Sequence, residues 1–333
     1  MSRSALQVPL VCGAFALFLT GCVINLPLRP SSERRERMTL ETLIEPERFW
    51  TTDKVLLVGI DGVLSSAPDE GGLFAKPSTL VQLKDVLKKA EEKESIRALL
   101  VRVNSPGGSV TASDLAYREL QRFKEKTGKK IVVIFMGVGA SGGYYAAMAA
   151  DAVFAHPTSV TGSIGVIAMF PELSELGRKI GFDMRVIKSG PLKDIGSMWR
   201  GFDEGEREVL QETIDSMYAR FLDVVRRGRP NLDAETIRKL ADGRVFEAAK
   251  AKEVGLIDEV GYIDDAFAAA KELANVADAS LVTYRPPFDY RGHYYASPPP
   301  SSPVASPQVN LLNVDLDGVL PPNEGPFYYL WMP

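Results

Sequence analysis

The stretch Gly139-Ala140-Ser141-Gly142-Gly143-Tyr144-Tyr145 sets one hydroxyl among glycines. Before it runs Ile131-Val132-Val133-Ile134-Phe135, an apolar, β-branched run that reads as a buried strand. After it come Ala146 to Ala150, small residues of good helix propensity. Ser141 therefore stands where a strand turns into a helix. The glycines permit a sharp turn and the close approach of a second backbone. Such a turn leaves the side chain exposed above the sheet, as in other nucleophile elbows. The helix N-terminus supplies unpaired N–H groups that stabilise negative charge. The chemistry these residues suit is attack on a carbonyl by an activated hydroxyl, which takes up the acyl group. A purely structural glycine turn has the same local pattern, so the residues that would serve the serine matter as much as the turn.

A serine nucleophile needs a base. The chain has two histidines, His156 and His293, far apart in sequence. His156 precedes Pro157 at a strand end, where a structural histidine is common, and His293 lies in a proline-rich stretch. Lysine is the alternative. It takes a proton only when neutral, so burial or a desolvated pocket must bring its pKa from about 10.4 towards 7–8. Lys193 lies in the glycine-bearing loop Lys188 to Ser197, after a predicted strand Met184 to Ile187. That context alone does not set it apart from the other lysines. The two cysteines, Cys12 and Cys22, both fall near the N-terminus. A His/Cys metal cluster is not expected, and neither is a cofactor.

The elements that must position Ser141 alternate between strand and helix. Lys54 to Ile60 reads as a strand ending in the turn Asp61-Gly62, and Ser78 to Ala90 as a helix with Leu80, Leu83 and Leu87 on one face. Ala98 to Val103 is a second strand. It ends in Asn104-Ser105-Pro106-Gly107-Gly108-Ser109, a tight loop before a helix from about residue 111 to Lys126. A short strand, Ala152 to Ala155, follows the serine turn, and Thr161 to Val166 is another glycine-punctuated apolar segment. This alternation predicts an α/β fold with a mainly parallel sheet and crossover helices. In such sheets ligands bind beyond the carboxyl ends of the strands. The loops at 104–109 and 139–143 should then share one sheet edge, where two backbone N–H groups can converge on one oxygen. Beyond them are predicted a long amphipathic helix from Glu204 to Arg227, a helix over Ala234 to Leu240, a short strand or turn at Gly243 to Phe246, and helices over Ala248 to Val254 and Asp264 to Leu273. The last two flank a strand from Gly255 to Val260.

Composition bounds the rest. Apolar residues make up 45% and charged residues 25% of the 333, ordinary globular values. A net charge of -4 gives no general reason to expect a nucleic-acid partner. Residues 1–21 read as a signal peptide, with Arg3 ahead of the apolar run Val8 to Leu19, which is short for a membrane span. The run ends in Leu19-Thr20-Gly21-Cys22, which resembles a bacterial lipobox, so lipidation at Cys22 and an extracytoplasmic, membrane-anchored body are expected. An uncleaved membrane anchor is the alternative. Residues 22–53 then form a lipidated N-terminus and polar tether. The body spans 54–284, and 285–333 is a proline-rich extension with an apolar end, Phe327 to Met332.

Six segments in order and spacing resemble the signal peptide peptidase A (SppA, protease IV) family. They are Arg102 to Gly108, Ala140 to Tyr145, Thr161 to Val166, Ser189-Gly190 with Lys193-Asp194, Gly243-Arg244-Val245, and Gly255 to Asp258. The resemblance covers about residues 55–275. It implies a serine–lysine peptidase of half-length type on a ClpP/crotonase-like fold, with repeated β-β-α units, crossover helices and a C-terminal helical segment. It places Ser141 on the nucleophile, Lys193 on the general base, Ser163 on the serine that orients that lysine, and Gly108 and Gly142 on the oxyanion hole. It further implies ring- or dome-shaped homo-oligomers whose dyad can be completed across a subunit boundary, and substrates that are signal peptides and other short unstructured peptides. Neither a metal nor a nucleotide is implied. Two other readings use the same residues: a crotonase-like acyl-thioester enzyme, and a non-catalytic oligomeric peptide-binding scaffold.

Overall fold

The computed structural model describes residues 38–67, 78–285 and 325–332. In chain order they form β1 (Thr39–Ile44), β2 (Lys54–Asp61), α1 (Thr79–Glu91), β3 (Ile96–Ser105), β4 (Gly107–Ser109), α2 (Val110–Thr127), β5 (Lys130–Ala140) and α3 (Gly142–Ala147). These are followed by β6 (Ala152–Ala155), β7 (Val160–Gly162), β8 (Ile167–Ala168), α4 (Ser174–Lys179), α5 (Glu204–Gly228) and α6 (Ala234–Leu240). The chain continues through β9 (Val245–Glu247), α7 (Ala248–Glu253), β10 (Glu259–Val260), α8 (Ile263–Leu273), β11 (Ser280–Arg285) and β12 (Phe327–Leu330). The expected leader with Cys22, the tether up to residue 37, His293 and most of the proline-rich extension lie outside the described residues. Among the described residues, no helix is long and apolar enough to cross a membrane.

The main sheet runs β1-β11-β2-β3-β5-β6-β10, with β7 added beside the end of β5 and β9 beside β7. From β11 to β10 every neighbouring pair is parallel. Such strands are buried on both faces, which is why β2, β3 and β5 read as unbroken apolar runs. Alternate residues serve opposite cores. Leu56, Leu99, Val101 and Val133 pack with α1, α2, α3 and α5 on one side. Val55, Leu100, Val132 and Ile134 pack under α8 on the other.

The helices begin where the sequence supplies caps. The Ser78 and Ser109 side chains accept from the backbone N–H groups of Val81 and Ala112 at the starts of α1 and α2. Asp203 and Glu206 form a capping box at the start of α5.

Three segments differ from their sequence reading, and the structure settles a fourth, the apolar end of the extension, that the sequence leaves open. Met184 to Ile187 forms no strand; no neighbouring strand takes up its backbone groups, and Ile187 is fully exposed. Of Gly255 to Val260, only Glu259–Val260 pairs with β6. Leu256 and Ile257 instead turn inward and are buried. Residues 39–44, expected in the tether, pair antiparallel with β11 at the sheet edge. The apolar end of the extension docks on the body, as β12 in a second, three-stranded sheet ordered β4-β12-β8.

Behind the serine turn, α3 is fastened to the far side of the fold through Arg229. Its Nε donates to the Leu256 carbonyl at 2.8 Å, and Nη1 donates to Asp258 Oδ2 at 2.9 Å. The Tyr144 hydroxyl donates to the same Leu256 carbonyl at 2.8 Å, and Asp258 Oδ2 also accepts from the Val153 N–H at 2.7 Å. Replacing Arg229 with Met, which keeps the length of the stem, should lower unfolding free energy by about 1.5–3 kcal/mol, the usual worth of hydrogen bonds to a charged group. Urea denaturation of the two proteins measures this, and an unchanged midpoint would contradict the role given to Arg229.

Candidate active site

Strands β3 and β5 are parallel neighbours, so both leave the sheet at the same edge. Ser105 stands opposite Gly139 in their register. The two glycine-rich loops are thereby brought side by side, as their positions after strands predict. A methyl group built on Gly107 would lie 2.7 Å from the Gly142 nitrogen. The loop after β2 closes the third side: Leu64 N–H donates to the Gly107 carbonyl at 2.7 Å, and Ser109 N–H to the Leu64 carbonyl at 3.0 Å. A side chain at Gly108 would stand 1.9 Å from the Leu64 carbonyl oxygen, so only glycine allows this approach.

Ser141 itself has φ 49° and ψ -114°, a conformation that non-glycine residues rarely adopt. Two backbone bonds hold it there. Its N–H donates to the Gly162 carbonyl at 2.8 Å, and its carbonyl accepts from the Tyr145 N–H at 2.8 Å. Unlike Ser78 and Ser109, it does not use its hydroxyl to cap the helix it begins. The oxygen is left for other work, at the N-terminal end of the buried α3.

Strand β7 brings Ser163 alongside. Ala140 pairs with Gly162 in the parallel β5–β7 ladder, so Ser141 and Ser163 follow directly at adjacent strand ends. Ser163 also has a φ of 49°, and its N–H donates to the Arg244 carbonyl at 2.7 Å. Both serines are buried. The structure thus gathers Ser141, Ser163, Gly108 and Gly142, four of the residues singled out from sequence, at one edge of the sheet.

Lys193 makes no side-chain bond to that group among the described residues. It is exposed, and among the described residues its ammonium has no hydrogen-bond or ion-pair partner, Ser141 included. Its neighbour Asp194 is held firmly. Arg200 donates through Nε to Asp194 Oδ2 at 3.0 Å and through Nη2 to Oδ1 at 2.7 Å, while Lys188 Nζ donates to Oδ1 at 2.6 Å. Arg200 Nη1 also donates to Glu206 Oε2 at 2.7 Å, in the first turn of α5. These hydrogen bonds from Arg200 keep the Asp194 carboxyl far below the usual carboxylate range and lower that of Glu206. The segment carrying Lys193 is therefore tied to the start of α5. Around it stand exposed apolar side chains: Ile180, Phe182, Met184, Val186 and Ile187.

Two features of the site escaped the sequence reading. Tyr145 donates its hydroxyl to Asp114 Oδ1 at 2.5 Å, and Arg220 reaches the same oxygen from α5 at 2.6 Å. Burial, followed by the bond to Asp114, raises the Tyr145 phenol well above its ordinary value. Tyr329, from β12, stacks on Tyr145 with ring centroids 5.1 Å apart. The spacing of Asp114 and Arg220 marks only helix positions, and Tyr329 lies in a run whose partner strand has just three residues. Neither leaves a local signal.

Comparison with known proteins follows the same lines. Residues 123–277 match the model of peptidase family S49, and residues 79–161 match that of Clp protease. The protein named "Putative signal peptide peptidase SppA" of Enterococcus faecium is 36% identical over 249 residues, 74% of this chain and 71% of that one. A Synechocystis relative, whose name is that of a protease, is 38% identical over 234 residues, 70% of this chain and 79% of that one. Protease 4 of Haemophilus influenzae is 32% identical over 230 residues, 69% of this chain but 36% of that protein. With an α/β fold of the ClpP type and relatives that match it over most of its length, the chain belongs to peptidase family S49 and is a serine protease.

Proposed function

We propose that this protein is an extracytoplasmic endopeptidase in which Ser141 is the nucleophile and Lys193 the base, and that it degrades signal peptides and other short unstructured peptides. The observation that carries the reading is the conformation of Ser141. A buried serine held at φ 49° at a strand-to-helix turn, with its hydroxyl unused by the helix and two glycine loops beside it, is costly to build and suits attack on a carbonyl. In this mechanism Lys193 removes the Ser141 proton as the oxygen adds to the peptide carbonyl. The amides of Gly108 and Gly142 hold the resulting oxyanion. The amine leaves with a proton returned by the lysine, and water then releases the acyl group. Ser163 orients the lysine from the adjacent strand end.

The base comes from a second copy of the chain. The absence of a Lys193–Ser141 hydrogen bond among the described residues, and the exposed apolar residues that flank the lysine, support an assembly in which the 180–203 segment of one protomer completes the site of its neighbour. Anchoring through a lipidated Cys22 would hold such an assembly at a membrane, where released signal peptides accumulate. Mass spectrometry of the mature N-terminus tests that part; a chain beginning at Met1 or Ser2 without modification would refute it.

Ser141→Ala and Lys193→Ala should each lower kcat on a fluorogenic apolar peptide by about 10³-fold or more, with unchanged circular dichroism and thermal midpoint. Full activity in either variant refutes the dyad. Wild-type turnover should rise with pH into the alkaline range, since a lysine base works only when neutral.

Mixing the two inactive variants and allowing subunits to exchange should restore activity, because some sites then pair an intact Ser141 with an intact Lys193. No recovery in mixed oligomers would place the dyad within one chain. Arg200→Ala should loosen the segment that carries Lys193 and reduce kcat by about 10²-fold, the usual cost of misplacing a catalytic group. Steady-state kinetics read this directly, and an unchanged kcat would remove Arg200 from a positioning role.

A further inference from the structure

Between β1 and β2 the chain makes a tight turn at the end of the sheet opposite Ser141. Thr51 N–H donates to the Arg48 carbonyl at 3.0 Å, which puts Phe49 and Trp50 at the two central positions. Turns favour Pro, Gly, Asn, Asp and Ser there, and loop tips are mostly small and polar. Here both residues are large aromatics. Phe49 is 92% exposed and Trp50 64% exposed, and their rings meet edge to face with centroids 4.6 Å apart. Neither the turn nor the core accounts for them.

The turn is nevertheless firmly held. Asp278, buried just before β11, accepts from the Glu47 N–H at 3.1 Å, the Arg48 N–H at 2.9 Å and the Thr51 hydroxyl at 2.8 Å. Burial acts to raise the Asp278 carboxyl, but the bonds from Arg48, Thr51 and Glu47 outweigh it and leave the group below its ordinary value. The clamp is therefore a carboxylate at neutral pH. It displays two rings in water on a rigid support.

Size and charge select what the rings would meet. Two aromatic side chains offer about 300–500 Å², short of the roughly 800 Å² that each partner contributes to a stable protein interface. Their charged neighbours are Glu45, Glu47, Arg48, Asp53 and Lys54, a mixture with no basic excess to recruit an anionic surface. A small Trp–Phe protrusion without such an excess suits the membrane–water interface, where the indole sits at headgroup level. The anchor expected at Cys22 allows the contact. Thr39 stands opposite Arg285 at the carboxyl end of β11, so the tether joins the body on the Ser141 side. The chain from Cys22 to Thr39 can span at most about 55–60 Å. The eight-residue β2, which separates the two ends of the sheet, is about 25 Å long.

We propose that Phe49 and Trp50 insert into the interface of a lipid bilayer as a second membrane contact beside the anchor at Cys22. An anchor fixes attachment, and the two rings on their rigid turn fix orientation. The amino ends of the parallel strands then face the lipid, and the Ser141 edge faces away from it. Peptides reach Ser141 from the aqueous side, after they have left the bilayer. The inference rests on the reading of the chain as membrane-anchored, but not on its peptidase chemistry.

The test reconstitutes the full-length chain in phosphatidylcholine vesicles, with and without bromine atoms at carbons near the headgroup end of the acyl chains, and reads tryptophan fluorescence. Subtracting the emission of Trp50→Phe isolates Trp50 from Trp199 and Trp331. That difference signal should fall by about half or more in the brominated vesicles, because an interfacial indole lies within contact of such bromines. Phe49→Ser should weaken the quenching, and uncharged lipid should suffice. Flotation of the vesicles scores attachment separately. A chain that floats with Trp50 unquenched overturns the proposal and leaves the anchor standing. A chain that does not float overturns both. Trp50 emission that shifts to the blue with protein concentration, in the absence of lipid, would assign the turn to a second copy of the chain and likewise overturn the proposal.

Discussion

At Ser141 the chain changes from strand to helix in a single residue of positive φ, and a 2.8 Å bond from its N–H to the Gly162 carbonyl keeps it there. A non-glycine residue in such a conformation costs on the order of 1–3 kcal/mol and persists only where its surroundings over-determine it. The surroundings here are specific. Parallel pairing of β5 with β7 supplies the acceptor. The buried rings of Tyr144 and Tyr145 fix the helix that follows. Arg229 and Leu256 hold Tyr144 from behind. The same ladder that restrains Ser141 delivers Ser163 to its side, so strain at one serine and placement of the other have one cause.

The half of the site that can be read from sequence is the half made of backbone. Glycine-rich loops after apolar strands say where tight turns fall, and the parallel-sheet rule says that they share an edge; Ser141, Gly108 and Gly142 meet as that logic requires, while Ser163 is expected beside them from the family resemblance alone. Helices such as Ala234–Leu240, whose caps and apolar spacing agree, match their reading residue for residue. The failures are of another kind. Met184 to Ile187 has the composition of a strand but lacks a partner, and a strand is a property of two segments. The pairing of Phe327–Leu330 with Gly107–Ser109 joins residues more than 200 positions apart. No local pattern encodes such a contact. Lys193 is the extreme case: the residue type suits a base, yet its loop carries no local signal and, among the described residues, its ammonium has no partner.

The serine edge and the segment proposed to supply the base are also built differently. The serine side is rigid, with its strands buried on both faces and its turns held by main-chain bonds. The lysine side is a surface segment, kept in shape by the Asp194–Arg200–Glu206 charges and flanked by apolar side chains open to solvent. Membership of the S49 family removes the acyl-thioester reading of the fold and keeps the hydrolytic one.

Tyr145 links these properties within one helical turn. Its N–H closes the first turn of α3 on the Ser141 carbonyl, while its ring forms a wall of the slot that holds Tyr329. The strained turn and the slot wall are thus four residues apart on one rigid element. Neither evolution nor an engineer can reshape the slot at position 145 without also disturbing the turn. Phe221 lines the same slot from α5, outside the strained turn. Change in the slot is therefore open at position 221 and closed at position 145.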